Sequence, residues 1–433
     1  MGLIRKIASN KLVQGSFFVF IANNLVGFGN FLFNLLMARL LPKETYGEMG
    51  ALFSLSMMIG IPLSIFNIYI IKIVSALFGK KEYPKIRFLR VFIFPRVIVV
   101  SFVLFSLILV NSLFLAGFLK LSSPLPLVII GFNFILGGLS SINGAVLTGM
   151  LAFSFTVLNG AVDVILKLLV SLLLVLSGYG LYGALLGASI GTLVSLFLSS
   201  WQLRKLIPAK YHQARQFHFS RLKDIVPVVL TMLILVSFLN VDILLVRHFF
   251  SAVKAGEYVA LSTISKTILY AAGPLITVMF PLISNRKSSG HPYLLPLLGS
   301  LFGSALISLL VIMLFSIFPD FVVGILFGGR YTMIIPYLVY FAFFIAVYTL
   351  NNILTYFLLS ASFHRAIYIL VLFPLLQALL IYLFHNNIQT VILVNISVSL
   401  LYLLSALFMI WRNEAKNLKI LFARYLPSPF FNE

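Results

Sequence analysis

The sequence predicts an all-α integral membrane protein of about twelve transmembrane helices, in two pseudo-symmetric six-helix lobes around a central cleft. Three observations predict it. Of 433 residues, 61% are hydrophobic and 9% charged, with a mean hydropathy of +1.11. Soluble domains carry roughly a quarter charged residues, so a chain this apolar needs lipid as its solvent. Apolar stretches of spanning length recur from end to end. A short motif also appears once in each half.

Taken in order, the spans fall at 15–38, 49–71, 91–117, 125–147, 155–177, 181–203, 225–248, 258–283, 293–318, 333–360, 366–384 and 388–411. Each approaches the roughly 20 apolar residues that a bilayer core requires. The divisions are weakest near Thr148-Gly149-Met150 and at Ser177-Gly178-Tyr179-Gly180. Residues 1–14, with Arg5, Lys6 and Lys11, read as a cytoplasmic interfacial prelude. The apolar run that follows is too long for a signal peptide and ends in Met37-Ala38-Arg39 without a cleavage pattern. Residues 15–203 then form an N-lobe, 204–224 a basic cytoplasmic linker, 225–411 a C-lobe, and 412–433 a basic tail on the inner surface.

Charge placement orients the chain. Of 31 Lys and Arg, two (Lys167 and Lys266) lie deep inside spans, and six (Arg39, Lys43, Lys120, Arg247, Lys254, Arg330) fall at or near one face. The remaining 23 fall on the other. The positive-inside rule places that second face, and both termini, in the cytoplasm of a multi-pass plasma-membrane protein. An odd number of spans would mix the two sets. The net charge of +21 therefore belongs to membrane topology and membrane lipids rather than to nucleic acid. Cysteine is absent, which removes disulfides and thiolate chemistry.

The repeat ties the halves together. Span one ends Phe33-Asn34-Leu35-Leu36-Met37-Ala38-Arg39, and span seven ends Val241-Asp242-Ile243-Leu244-Leu245-Val246-Arg247. After each Arg come a short loop and Gly47-Glu48-Met49-Gly50-Ala51-Leu52 or Gly256-Glu257-Tyr258-Val259-Ala260-Leu261. Both copies start an odd-numbered span outward, so the repeat is parallel.

Each charge inside a span costs roughly 2.5–3.5 kcal/mol, which marks Asp163, Lys167, Asp242 and Lys266 as structural pairs or functional groups. Asp163 and Lys167 are four residues apart, on one helix face. Asp163 and Asp242 are candidate ion-coupling carboxylates, and Lys167 and Lys266 candidate contacts for an anionic substrate. Asn23, Asn30 and Asn34 share a face of span one, as packing or sugar-contacting groups. Pro62, Pro95, Pro227, Pro274, Pro281, Pro336 and Pro374 interrupt spans, as hinges or lining backbone.

No phosphate-binding Gly-rich loop occurs, because Gly79-Lys80-Lys81 follows Val74 where a glycine is needed. The six His have no metal-ligand spacing. No metal or other cofactor is expected. The outer loops are short, and Glu44 and Glu48 belong to the repeat, so an enzyme of glycan assembly is disfavoured.

The run from Ala38-Arg39-Leu40-Leu41-Pro42-Lys43-Glu44-Thr45-Tyr46-Gly47-Glu48, its counterpart around Asp242 and Gly256-Glu257-Tyr258, and Gly178-Tyr179-Gly180-Leu181-Tyr182-Gly183-Ala184-Leu185-Leu186-Gly187 resemble a family. They are similar to the Wzx-type flippases of the multidrug/oligosaccharidyl-lipid/polysaccharide exporter superfamily. The resemblance implies alternating-access transfer of a polyprenyl-diphosphate-linked oligosaccharide for surface polysaccharide synthesis. It implies that Lys266 and Lys167 line a cationic cleft, with Arg39 and Arg247 at its outer mouth and Asn23 and Asn34 beside the sugar. It also implies a monomer working near a glycan polymerase or transferase in the same membrane. Lipid II flippases resemble the chain too, but carry two further helices and several cleft arginines that it lacks. A drug or metabolite antiporter coupled through Asp242 or Asp163 is the second expectation.

Overall fold

The computed structural model describes residues 11–207, 226–289 and 292–425, with side chains from Leu25 onward except those of Ser288 and 416–425. Among these residues the chain is helical and contains no strand. A lipid core leaves no water for backbone groups, so each span must satisfy its own N–H and C=O, which only a helix does locally. The basic linker lies mostly outside the described residues, as does the tail beyond its continuing helix.

In the first half the helices are α1 (Lys11–Leu40), α2 (Lys43–Ile59), α3 (Ile61–Gly79), α4 (Tyr83–Val110), α5 (Ser112–Phe118), α6 (Leu125–Gly149), α7 (Phe153–Leu174) and α8 (Gly180–Leu206). The second half contains α9 (Val226–Phe238), α10 (Val241–Phe249), α11 (Ala252–Ser265), α12 (Thr267–Ser288), α13 (Leu294–Ile317), α14 (Pro319–Phe327), α15 (Ile335–Ser360), α16 (His364–Leu370), α17 (Leu372–Leu383) and α18 (Ile388–Tyr425). The backbone groups into two compact units: Met1–Ile225 with Arg247–Val259, and Val226–Val246 with Ala260–Glu433.

Ten helical stretches among the described residues are long and apolar enough to cross a membrane, against the twelve expected. One of the ten, Phe153–Leu206, runs for 54 residues because α7 and α8 are joined without a coil. It folds back on itself at 175–180, where Gly178 and Gly180 take φ of 92° and 50°. Side chains with a Cβ rarely adopt such values. The other shortfall is span one, whose side chains are described only from Leu25.

Two of the prolines expected to interrupt spans begin helices, and Pro62 does so where the expected span 49–71 breaks at Gly60. Pro62 and Pro336 sit in the first turns of α3 and α15, where the missing N–H costs nothing because that donor has no intrahelical partner. Pro95, Pro274 and Pro281 do lie inside helices. Four tight connections among the described residues use non-glycine residues at positive φ: Lys81 (57°), Lys120 (46°), Leu151 (58°) and Ser362 (59°). Each is followed by a backbone bond five residues back, from Glu82 to Leu77, Leu121 to Ala116, Ala152 to Leu147 and Phe363 to Leu358, which caps the orphan carbonyls of the preceding helix.

In the first unit α7 and α8 form an antiparallel hairpin. The Ser171 hydroxyl donates to the Ala184 carbonyl at 3.1 Å, and the Ser195 hydroxyl donates to that of Asn159 at 3.3 Å. Such close approach needs small residues. A Cβ on Gly187 would stand 2.1 Å from the Ser171 hydroxyl and 2.5 Å from its backbone nitrogen. Gly187→Val should therefore cost about 1–3 kcal/mol of stability by overpacking. Unfolding of the detergent-solubilised protein would read it, and a variant as stable as the parent would refute the tight contact.

The second unit packs around α15, whose Phe341, Phe344, Phe357 and Tyr348 are essentially inaccessible. Several of its buried polar groups bond across the bundle. Asn351 donates to the Ser399 carbonyl at 2.8 Å, Thr355 and Tyr402 share a 2.6 Å hydrogen bond, and the Tyr348 hydroxyl donates to Leu235.

Candidate functional site

Asp163, one turn along α7 from Asn159, borders a cavity of about 270 Å³ inside the first unit. Its wall is built largely of small polar side chains, among them Ser140, Thr156, Asn159, Thr192 and Ser195. The Thr192 hydroxyl hydrogen-bonds the Asp163 carboxylate, whose Oδ1 is buried without a partner. Asn159 donates to Gln202 at 2.9 Å, while its own Oδ1 is also unpaired. Ligand sites of drug size occupy roughly 300–1,000 Å³. This space suits waters or a small cation rather than a sugar chain.

Lys167 makes its closest contacts outside its own helix. Its ammonium donates to Asn30 Oδ1 at 2.9 Å and lies 4.1 Å from the centre of the Phe33 ring and 5.4 Å from that of Phe53. The two charges are near enough to attract each other, but no ion pair joins them among the described residues. An aromatic face attracts a cation through its ring quadrupole, which adds to the Asn30 hydrogen bond in a partly apolar setting. Asn34 donates to the Asn30 carbonyl at 2.8 Å. The side chain of Asn23 lies outside the described residues.

The second unit holds the other intramembrane pair. Span seven breaks between Phe238 and Val241, and span eight breaks at Lys266. Lys266 reaches back toward the Leu239 carbonyl at 3.5 Å, near the charge of Asp242. Asp242 Oδ1 accepts from the Ile243 amide at 2.8 Å, and Oδ2 accepts from Asn395 at 3.2 Å. Gln377 donates to both Asn395 Oδ1 and the Phe238 carbonyl, at 2.8 and 3.2 Å. Interrupted helices expose backbone carbonyls that can meet cations or substrate groups. Both lysines are thus half-buried and turned toward groups of their own unit.

Arg247 is 2% exposed and closely held. It donates to Glu48 Oε1 at 3.1 Å, to the Leu119 and Lys120 carbonyls at 2.8 and 2.7 Å, and to the Glu44 carbonyl at 3.5 Å. Arg39, its counterpart in the first repeat, is exposed. Among the described residues no cluster of three or more His, Asp or Glu could hold a metal ion.

Sequence reasoning missed Asn159, Thr192, Gln377 and Asn395. Asn159 could have been found, since it stands four residues before Asp163 on the same helical face. Thr192, Gln377 and Asn395 come from other helices, and no spacing rule links them to their partners.

The geometry defines a multi-pass membrane protein with buried charged and polar groups in each helical unit, and solved structures share its fold. An inward-facing multidrug resistance MATE family transporter of the MOP superfamily aligns with a TM-score of 0.75 at 12% identity, covering 92% of this chain and 96% of the other. An outward-facing MATE structure scores 0.61 at 14% identity over 93% and 96%. The MATE multidrug transporter DinF-BH scores 0.63 at 14% identity over 93% and 95%. None of the curated proteins matches the chain in sequence. Residues 36–336 match the family model described as polysaccharide biosynthesis protein, and the chain belongs to that family.

Proposed function

We propose that the protein is a flippase that moves a polyprenyl-diphosphate-linked oligosaccharide across the cytoplasmic membrane by alternating access, for the synthesis of a surface polysaccharide. The observation that carries this reading is the family match over residues 36–336. Two features support it. Lys167 and Lys266 are cations in the middle of spans, suited to an acidic diphosphate head group. The excess of Lys and Arg at one set of loops favours cytoplasmic termini, and hence pick-up of the lipid from the inner leaflet. Asn34 and Asn23 would meet sugar hydroxyls, and Arg39 would stand at the outer mouth. Arg247 enters the same reading at that mouth, as a residue bound to the protein. The protein acts as a monomer beside a glycan polymerase or transferase, with no chemistry of its own.

A second reading, a cation-coupled antiporter of drugs or metabolites, is favoured by the small cavity beside Asp163. There Asp163, Asn159 and Thr192 would hold a coupling cation or proton, and Asp242 would serve the second unit.

The test is reconstitution in liposomes with a fluorescent polyprenyl-diphosphate disaccharide. The flippase reading expects protein-dependent exposure of the sugar to a lectin on the opposite face. Failure to move the lipid, together with proton-driven accumulation of a rhodamine-type cation, would replace it with the antiporter.

A further inference from the structure

One polar network in the first unit is made by two pieces of chain related by the internal repeat. One is the tip joining α1 to α2, with Lys43, Gly47 and Glu48. The other is the tip joining α10 to α11, with Arg247, Gly256 and Glu257. They bind each other reciprocally: Glu48 of the first accepts from Arg247 of the second at 3.1 Å, and Lys43 of the first donates to Glu257 of the second at 2.7 Å. Their glycines meet backbone to backbone. A Cβ on Gly47 would lie 2.7 Å from the Gly256 nitrogen, and one on Gly256 would lie 1.9 Å from the Lys43 carbonyl oxygen.

Two further facts bear on what this contact does. Residues 247–259 cluster with the first unit, although the chain on both sides of them clusters with the second. That segment is also bracketed by the two helix breaks, one between Phe238 and Val241 and one at Lys266. Uninterrupted helices transmit strain along their length, whereas a break absorbs changes of backbone angle. A rigid helical hairpin between two breaks can pivot, and polar contacts that exchange with water can close and reopen. The Lys43–Glu257 pair, with side chains 24% and 14% exposed, is open enough for that exchange.

We propose that the α10–α11 tip is a latch, clipped to the α1–α2 tip by the reciprocal ion pairs and released in each transport cycle by pivoting at the two breaks. The proposal goes beyond the flippase reading and does not depend on what is carried. The glycines permit the clasp, and the charges set how readily it opens.

The chain's lack of cysteine makes the test direct. Ala255, 1% exposed and against Gly47, becomes the only thiol in Ala255→Cys. Its labelling by a membrane-impermeant maleimide in liposomes reports release without any substrate. The latch predicts slow but measurable labelling, accelerated about two- to fivefold by Lys43→Gln, as expected for a partly exposed ion pair. The swap Lys43→Glu with Glu257→Lys should return the rate toward the parent's. Gly256→Ala, which props the clasp apart without changing charge, should accelerate labelling as well. A thiol that never labels in any background would overturn the proposal, as would one that labels at the same rate with and without the ion pair. As an independent check, Lys43→Cys with Glu257→Cys joined by a short thiol cross-linker should stop movement of the fluorescent lipid, or of the rhodamine-type cation if that is what moves. Unchanged transport after cross-linking would also overturn it.

Discussion

On the proposed flippase reading, replacing Lys266 with alanine is expected to slow movement of a polyprenyl-diphosphate oligosaccharide by about 10- to 150-fold. A hydrogen bond to a charged group contributes roughly 1.5–3 kcal/mol, and each 1.4 kcal/mol is tenfold. Lys266 stands at a helix break, where its ammonium, among the described residues, reaches one carbonyl, that of Leu239, at 3.5 Å. That leaves most of its three donors available to an anion. Lys266→Ala also removes the positive charge near Asp242, so lost stability must be separated from lost recognition. The double variant Lys266→Ala with Asp242→Asn removes both charges and keeps the Asn395 contact within reach. It should be as stable as the parent and still slow. A double variant that moves the lipid at the parent rate would show that Lys266 serves only to neutralise Asp242.

Arg247→Ala is expected to destabilise the protein by about 3–5 kcal/mol, the usual cost of removing one partner of a buried ion pair. The reason lies in Glu48, which is 8% exposed and keeps only the Ser122 hydroxyl at 3.2 Å once the guanidinium is gone. The Leu119 and Lys120 carbonyls lose their donor at the same time. Unfolding in detergent would measure the loss. Arg247→Met with Glu48→Gln removes both charges and should recover much of it, because neutral replacements of a buried pair are often tolerated. Equal losses in the single and double variants would place the energy in packing around Arg247 rather than in its charge.

The fold was largely legible in the sequence because lipid imposes simple rules. Apolar length marked the spans, and the loop at 178–180 was visible as glycines, although its lack of coil joins α7 to α8 in one stretch. The repeat was legible too, as Arg39 with Gly47-Glu48 and Arg247 with Gly256-Glu257. Its meaning was not. Sequence comparison showed that two segments are alike, but not that Glu48 of one accepts from Arg247 of the other. Lys167 illustrates the same limit. Its spacing from Asp163 indicated two charges that attract each other, but not that its ammonium meets Asn30 and two phenylalanine rings, contacts from other helices that no local period encodes. Pro62 does mark an interruption, since the expected span 49–71 breaks at Gly60, whereas Pro336 begins a helix at the span's edge.

The reciprocal clasp also fixes an order of assembly during synthesis. Glu48 and Arg247 are 199 residues apart, so when the first six spans have entered the membrane, Glu48 has no guanidinium to meet. Until the ribosome has passed position 247, that carboxylate has the Ser122 hydroxyl but not its charged partner, and the nascent bundle is loose at that end. A chain halted at Leu206 should then be more open to added protease near Glu48 than the finished protein. Equal resistance would mean the early spans mature alone.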